Sequence, residues 1–137
     1  MTIPEDLATY LRTPRSPRWS PHTVRAAWWV CRAYYFASRD LKTDGVRTVV
    51  RPPPDLPAGA RRGVDAALRR LDPTCLQRSL IKQRWLAGHG VSADVMIGVD
   101  KSDATFAAHA WLDYESTYES NRFYRIIHRI PAQVTRQ

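Results

Sequence analysis

Residues 72–90 read DPTCLQRSLIKQRWLAGHG, and the interpretation of the whole chain depends on this stretch. Asp72 or Thr74 provides an N-cap oxygen. The apolar residues that follow recur every three or four positions, which predicts a helix that ends at the GHG segment. Cys75 therefore lies in the first turn of the predicted helix. A cysteine that serves only core packing needs no such position, whereas a nucleophilic cysteine does.

Beyond this helix the apolar pattern changes from helical to alternating. SADVMIGVD at 92–100 and FAAHAWLDY at 106–114 each place apolar residues at every second position, which predicts two strands joined by a hairpin-like loop. RFYRIIHRI at 122–130 predicts a third strand, which Pro131 ends.

The first half of the chain has the pattern of helices. Helices are predicted over about 4–12, over about 21–39 after a Ser20 cap, and over 60–71. RPPPDLPAG at 51–59 is too rich in proline for a helix or a central strand and is expected to be an extended connector.

The order of these elements indicates an α+β fold, because helices come first and a further helix precedes three antiparallel strands. We expect residues 1–137 to form a single domain, with a helical part at 1–71 and the cysteine helix plus strands at 72–137.

The second predicted helix places a mainly apolar set of residues on one face at helical spacing, namely Val24, Ala27, Trp28, Cys31, Tyr35 and Ser38. This pattern predicts that Cys31 is a core residue, since free cysteine is among the most buried residue types. The neighbouring Trp29 and Tyr34 are the alternative candidates for a partner surface.

Composition limits the function classes. No segment reaches the roughly 18 consecutive apolar residues of a membrane span, and the first residues lack a secretory pattern, so we expect a soluble, cytoplasmic protein. The two cysteines lie far apart and the four histidines are scattered. This distribution predicts neither a disulfide nor a metal site, and we expect no cofactor.

The net charge of +8 is compatible with nucleic-acid binding. However, Lys occurs only at positions 42, 82 and 101, so Arg supplies nearly all of the 21 basic residues. Arg together with abundant Ala and Pro is also what GC-rich codon usage produces. Charge alone therefore predicts no specific nucleic-acid partner.

Cys75 and His109 are the candidate catalytic pair. The first turn of a helix favours a thiolate by roughly 0.3–1 kcal/mol at exposed sites, through unpaired N–H groups and the helix dipole. Hydrolysis also needs a base that moves the proton. His109 lies mid-strand in AAHAW, where small alanines would let the start of the cysteine helix pack against it. A plain helix cysteine and a structural histidine are the alternative interpretation.

Three separated blocks match one family in type and order: CLQRSL at 75–80, GHGVSADVMIGVDK at 88–101 and AHAWLDY at 108–114. The chain resembles the transglutaminase-like leader peptidases of lasso-peptide biosynthesis, closely over about 72–114 and more loosely over 20–71. This resemblance implies a transglutaminase-like, papain-related cysteine protease core, in which the cysteine helix lies against a sheet that carries the histidine.

By the same resemblance, Cys75 is the nucleophile and His109 is the general base and acid. The family has an Asp about a dozen residues after the histidine, and this chain has Asn121 at the matching place. An Asn can also orient a catalytic histidine. Glu119 and Asp113 are further candidates for the third residue, and turn chemistry is the alternative explanation for Glu119 and Asn121.

The resemblance also implies a substrate and partners. The substrate is the precursor peptide, whose leader is removed before a separate ATP-dependent lasso cyclase closes the ring. Some family members carry a fused winged-helix recognition domain, whereas residues 1–70 here are predicted to be helical. We therefore expect a split form that needs a leader-recognition protein in trans, with the basic, aromatic N-terminal half as a docking surface for that protein or for the peptide.

Two other functions stay open at the level of sequence. The chain could be a catalytically silent scaffold that presents the precursor to partner enzymes, which the Asn in place of Asp favours. It could also be a basic nucleic-acid-binding protein, which only the charge favours.

Overall fold

The computed structural model describes residues 5–45, 48–100, 108–115 and 124–132 of the chain. It contains the helices α1 (Glu5–Arg12), α2 (Pro21–Asp44), α3 (Arg61–Leu71) and α4 (Cys75–Ala87), and the strands β1 (Val95–Asp100), β2 (Ala108–Leu112) and β3 (Tyr124–Ile130). The strands form an antiparallel sheet with β1 between β2 and β3. The prediction of an α+β fold is confirmed.

Local signals in the sequence account for the limits of α2. Ser20 Oγ accepts a hydrogen bond from the backbone N–H of Thr23 at 3.2 Å, and Pro21 occupies the first position, where a missing N–H costs nothing. The helix continues past its predicted end near residue 39 to Asp44. Gly45 then ends it with a positive φ of 56°.

The buried face of α2 is not the predicted one. Trp28 and Tyr35 are 66% and 64% exposed, and Cys31 is exposed as well, so the prediction of Cys31 as a core residue is wrong. The physical reason is the close approach of α3. A Cβ atom at Gly63 would overlap the backbone carbonyl of Thr23, so large side chains cannot lie between the two helices. The buried positions of α2 are instead mostly small: Thr23, Ala26, Trp29, Val30, Ala33 and Ala37.

Trp29, the alternative candidate for a partner surface, is also a core residue. It is only 8% exposed, its indole Nε1 donates to the carbonyl oxygen of Arg51 at 3.3 Å, and its ring lies 5.9 Å from that of Trp85. The two adjacent tryptophans of α2 therefore have opposite roles, since Trp29 packs inward and Trp28 faces outward.

Helix α4 lies at the centre of the hydrophobic core. Ile81 and Trp85 of this helix are 0% and 2% exposed, and they belong to one cluster with residues from α1, α2, α3, β1 and β2. The indole Nε1 of Trp85 donates to the hydroxyl of Tyr10 at 2.7 Å, which satisfies its polar atom inside the core. Because α4 also packs on β2, its first residue is held against the edge of the sheet.

The proline-rich segment predicted to be extended over 51–59 has neither helix nor strand over 51–57, as predicted, but its last two residues begin a short 3-10 helix, Ala58–Ala60, which leads into α3. It is attached to the end of α4 through His89, whose two ring nitrogens lie 2.9 Å from the carbonyl oxygens of Trp85 and Leu56. Within the described ranges, no helix has the length and apolar character needed to cross a membrane.

Candidate active site

Helix α4 begins at Cys75 because the preceding residues end helix α3 and then provide an N-cap for α4. Asp72 adopts a left-handed conformation with a φ of 48° and ends α3. Thr74 Oγ1 accepts a hydrogen bond from the backbone N–H of Gln77 at 3.3 Å, while the Gln77 side chain accepts one from the N–H of Thr74 at 2.9 Å. Thr74 is therefore the cap, and Cys75 is the first helical residue, as predicted.

The first turn of α4 keeps free donors beside the thiol. The capping box uses the N–H groups of Thr74 and Gln77. For the N–H groups of Cys75 and Leu76, no hydrogen bond is recorded among the described residues. Unpaired N–H groups at a helix start create a positive potential that stabilises a nearby negative charge.

The thiol of Cys75 contacts the outer edge of the sheet. The backbone N–H of Ala110 donates to Cys75 Sγ at 3.3 Å, and Cys75 is half-buried against the core. This N–H is available because, among the described strands, β2 lies at the edge of the sheet and pairs only with β1. The sulfur thus lies one residue along the strand from His109.

The ring of His109 lies on the other face of the sheet. Ala110 and Leu112 join the core that contains α4, whereas His109 is exposed, as the alternation of a strand requires. In the part of the chain that the structure describes, no hydrogen bond joins His109 to Cys75 Sγ. The expectation that α4 packs against the His109 face is therefore wrong, because the Ala110 face contacts the core.

An aromatic stack holds the His109 ring. Its centroid lies 5.3 Å from that of Tyr124 and 5.8 Å from that of Trp111, with planes tilted by 28° and 23°. Gly98 lies opposite His109 in β1 and leaves room for these rings, since a Cβ there would lie 2.8 Å from Cη2 of Trp111. Sequence analysis missed Gly98 and Tyr124. The available signal was the glycine inside a strand pattern, which often marks a close approach.

The third member of the site stays a prediction. Asp113 begins a short 3-10 helix directly after β2, and its backbone N–H donates to the carbonyl oxygen of Asp94 at 2.9 Å. Asn121 and Glu119 lie outside the described residues. The structure brings Cys75 Sγ to the backbone of Ala110, the residue after His109, while the His109 ring lies on the opposite face of the sheet.

Metal ligands are not grouped in the described ranges, where no three His, Cys, Asp or Glu side chains come together as a metal site.

The candidate site combines three features: a thiol at the start of a helix, a strand N–H beside the sulfur, and an exposed imidazole on the adjacent residue of the strand. These are the parts that nucleophilic catalysis by cysteine needs.

Comparison with known proteins gives one match. The sequence profile of the transglutaminase-like superfamily matches residues 21–119, a range that begins at α2 and extends beyond β2 and that includes both Cys75 and His109. Neither a curated protein nor a solved structure shows significant similarity to the chain.

Proposed function

The chain belongs to the transglutaminase-like superfamily, and on that premise we propose that it is a cysteine peptidase that removes the leader from a ribosomally synthesised lasso-peptide precursor. The observation that carries the proposal is the position of Cys75, at the first residue of α4 and with its sulfur 3.3 Å from the N–H of Ala110, next to His109. The choice of substrate rests on the sequence blocks CLQRSL and AHAWLDY.

The first chemical step transfers the leader to the enzyme. The Cys75 thiolate attacks the carbonyl carbon of the scissile peptide bond, and the free N–H groups of Cys75 and Leu76 stabilise the oxyanion that forms. Protonated His109 gives its proton to the departing nitrogen. The core peptide then leaves with a free amino group, and the leader stays bound to sulfur as a thioester.

The second step releases the leader. His109, now neutral, removes a proton from a water molecule, which attacks the thioester carbonyl. The carbon–sulfur bond breaks, the leader departs with a new carboxylate, and Cys75 returns to the thiolate beside a protonated His109. The two steps consume one water molecule and no ATP.

Both proton transfers need the imidazole near the sulfur. His109 is exposed and directly precedes Ala110, whose N–H contacts Sγ, so the proposed mechanism requires a change of side-chain rotamer that moves the ring from the aromatic stack toward that edge. Catalytic hydrogen bonds of free enzymes are often long and tighten only in the substrate complex. We propose that substrate binding brings this rotation about.

The proposal includes two partner proteins. A small leader-recognition protein presents the precursor in trans, and a lasso cyclase takes the released core peptide. Support for this arrangement comes from the resemblance of the sequence blocks and from the helical character of the described part of residues 1–70.

The test is a reconstituted cleavage reaction. The protein is incubated with a lasso precursor peptide and a leader-recognition protein in the absence of ATP, and the products are identified by mass spectrometry. We expect one cut that yields an intact leader and an intact core peptide. Cys75→Ala should abolish the cut and His109→Ala should slow it by about 10²–10⁴-fold, because positioned proton transfer typically contributes that much.

Matched variants separate chemistry from structure. Cys31→Ala and His128→Ala change the same residue types at exposed positions of α2 and β3, and they should leave the rate unchanged. For the third residue, Asn121→Ala should slow the reaction less than His109→Ala does, while Glu119→Ala should be silent. A wild-type protein that never cleaves, although it binds both partners, would favour the catalytically silent scaffold instead.

A further inference from the structure

A groove runs along the exposed face of α2, between this helix and the segment at 49–54. Its volume is about 680 Å³. Trp28 and Val24 on α2 are 66% and 52% exposed, and Val49 on the facing segment is 59% exposed. Several large apolar side chains exposed together along one groove indicate a binding surface. Neither Cys75 nor His109 lines the groove.

The charges along the groove are mainly positive. Arg25, Arg32 and Arg51 line it, and within the described ranges none of the three forms an ion pair, although the Arg51 guanidinium lies 4.5 Å from the ring centroid of Phe36. Asp40, an acidic residue of the same lining, already lies 3.5 Å from Arg39 Nε. The groove therefore presents unpaired positive charge beside apolar side chains, which fits an occupant with acidic residues next to an apolar anchor.

The length of the groove suits an extended segment of polypeptide. It follows α2 from Val24 to Asp40, which is about 24 Å at ~1.5 Å per residue. An extended chain advances ~3.3 Å per residue, so about seven residues fit along it. Arg25, Trp28 and Arg32 come at intervals of three and four residues and so lie on one helix face, where they can contact successive parts of such a segment.

The groove also ends close to the start of α4. Ala37 and Asp40 line its far end, and Ser38 between them accepts a hydrogen bond from the side chain of Gln77 at 2.9 Å. Gln77 lies two residues after Cys75 on α4. A chain that leaves the groove needs to pass about one helix diameter, ~10 Å, to reach the first turn of α4.

We propose that this groove binds a segment of the peptide substrate that carries acidic residues next to a large apolar side chain. This segment lies several residues away from the bond that is cut. The inference rests on the proposed function, because it assigns a second contact surface to the substrate of the same site. Arg25, Arg32 and Arg51 bind the acidic side chains, and Trp28 with Val49 holds the apolar anchor.

Binding is tested directly and without catalysis, in a Cys75→Ala background. The probe is a fluorescein-labelled synthetic peptide of about ten residues with Glu on both sides of a Leu–Phe pair, measured by fluorescence anisotropy. Charge reversal by Arg25→Glu with Arg32→Glu should raise Kd by about tenfold or more. The matched control is Arg69→Glu with Arg70→Glu, which removes the same charge from exposed positions of α3 and should change Kd by less than about twofold. Equal effects of the two pairs would overturn the proposal, since only the overall charge would then matter.

Cleavage kinetics supply the second readout. Trp28→Ala in the active protein should raise KM by about tenfold and leave kcat unchanged, because a contact remote from the reacting bond contributes to binding alone. Trp19→Ala is the matched control, since Trp19 is 80% exposed outside the groove. An unchanged KM in Trp28→Ala would overturn the proposal, as would a wild-type dimer in gel filtration that Trp28→Ala dissociates.

The two proposals fail in different ways. If the protein binds the acidic peptide through Arg25 and Arg32 but cleaves no precursor, the groove is confirmed as a peptide-binding surface and the proposed peptidase function is contradicted. If every groove variant cleaves the precursor normally, the peptidase function is supported and the role of the groove in substrate binding is contradicted.

Discussion

Replacement of Gly98 by alanine should damage the site without touching either candidate catalytic residue. Gly98 lies opposite His109 in the sheet. The added Cβ would lie 2.8 Å and 3.0 Å from two ring carbons of Trp111 and 3.1 Å from Cβ of Tyr124. These distances are shorter than normal carbon contacts, so both aromatic side chains have to move.

The expected loss of stability can be estimated from how tightly these two aromatic rings are packed. Trp111 is only 4% exposed, so its ring cannot simply turn into solvent. Extra methyl groups in a packed interior typically cost about 1–3 kcal/mol, and we expect the free energy of unfolding to fall by about that amount. Trp111 and His109 belong to the same strand, so displacement of Trp111 also shifts β2 and, with it, the position that the imidazole takes beside Sγ once it has left the stack. A misplacement of about 1 Å can cost about 10²-fold in rate, so kcat should fall by about 10–100-fold while KM changes little.

The assay combines urea unfolding with leader-cleavage kinetics at a temperature where every variant is folded. Gly88→Ala is the matched control. Its Cβ would lie 3.0 Å from Cγ of Pro53, which lines the α2 groove, so any effect of this variant on cleavage should appear in KM, whereas the aromatic stack and kcat should be unchanged. A Gly98→Ala protein with wild-type stability and wild-type kcat would refute the account of the stack, and an equal loss of kcat in Gly88→Ala would show that the effect is not specific.

Three further predictions concern stability and labelling. Thr74→Ala removes the capping box at the start of α4 and should lower the free energy of unfolding in urea by about 1 kcal/mol, whereas Thr74→Ser should restore it. Burial raises the pKa of Tyr10 to about 12, from an ordinary value of 10. Its hydroxyl therefore stays neutral in the folded protein while the unfolded chain ionises. The contribution of Tyr10 to stability should be complete below pH 10 and should be lost, by about 3 kcal/mol in total, as the pH rises through 12, so the fall in stability should be smaller in Tyr10→Phe. Cys31 is exposed, so iodoacetamide should label it in the native protein, and Cys31→Ser should keep full cleavage activity and stability within about 0.5 kcal/mol of wild type.

The parts of the fold that local chemistry determines were predictable from the sequence. The cap and Cys75 at the start of α4, the three strands and the proline-rich connector all follow from patterns within about ten residues, and the structure confirms each of them, the connector over 51–57. Membership of the transglutaminase-like superfamily was likewise visible, since the sequence blocks around Cys75 and His109 lie inside the matched range.

The inward face of α2 was not predictable from apolar periodicity. Apolar periodicity predicts that the face with Trp28, Cys31 and Tyr35 is buried, but the small residues of the helix face inward because Gly63 of α3 comes so close. Which face of a helix is buried depends on the shape of its neighbour, and that neighbour is distant in sequence. For the same reason, the sequence does not predict which side of the sheet His109 faces relative to α4. Alternation along β2 separates its two faces, but the sequence does not tell which of them meets α4.

The most direct test of the central claim is to trap the covalent intermediate on Cys75. The protein is mixed with precursor and recognition protein, the reaction is stopped with acid after a short time, and intact-protein mass spectrometry followed by peptide mapping locates any adduct. We expect a species heavier by the mass of the leader minus one water molecule, joined to Cys75 as a thioester, and we expect none in Cys75→Ala. Leader cleavage that continues in Cys75→Ala, or an adduct that maps to Cys31, would contradict the claim.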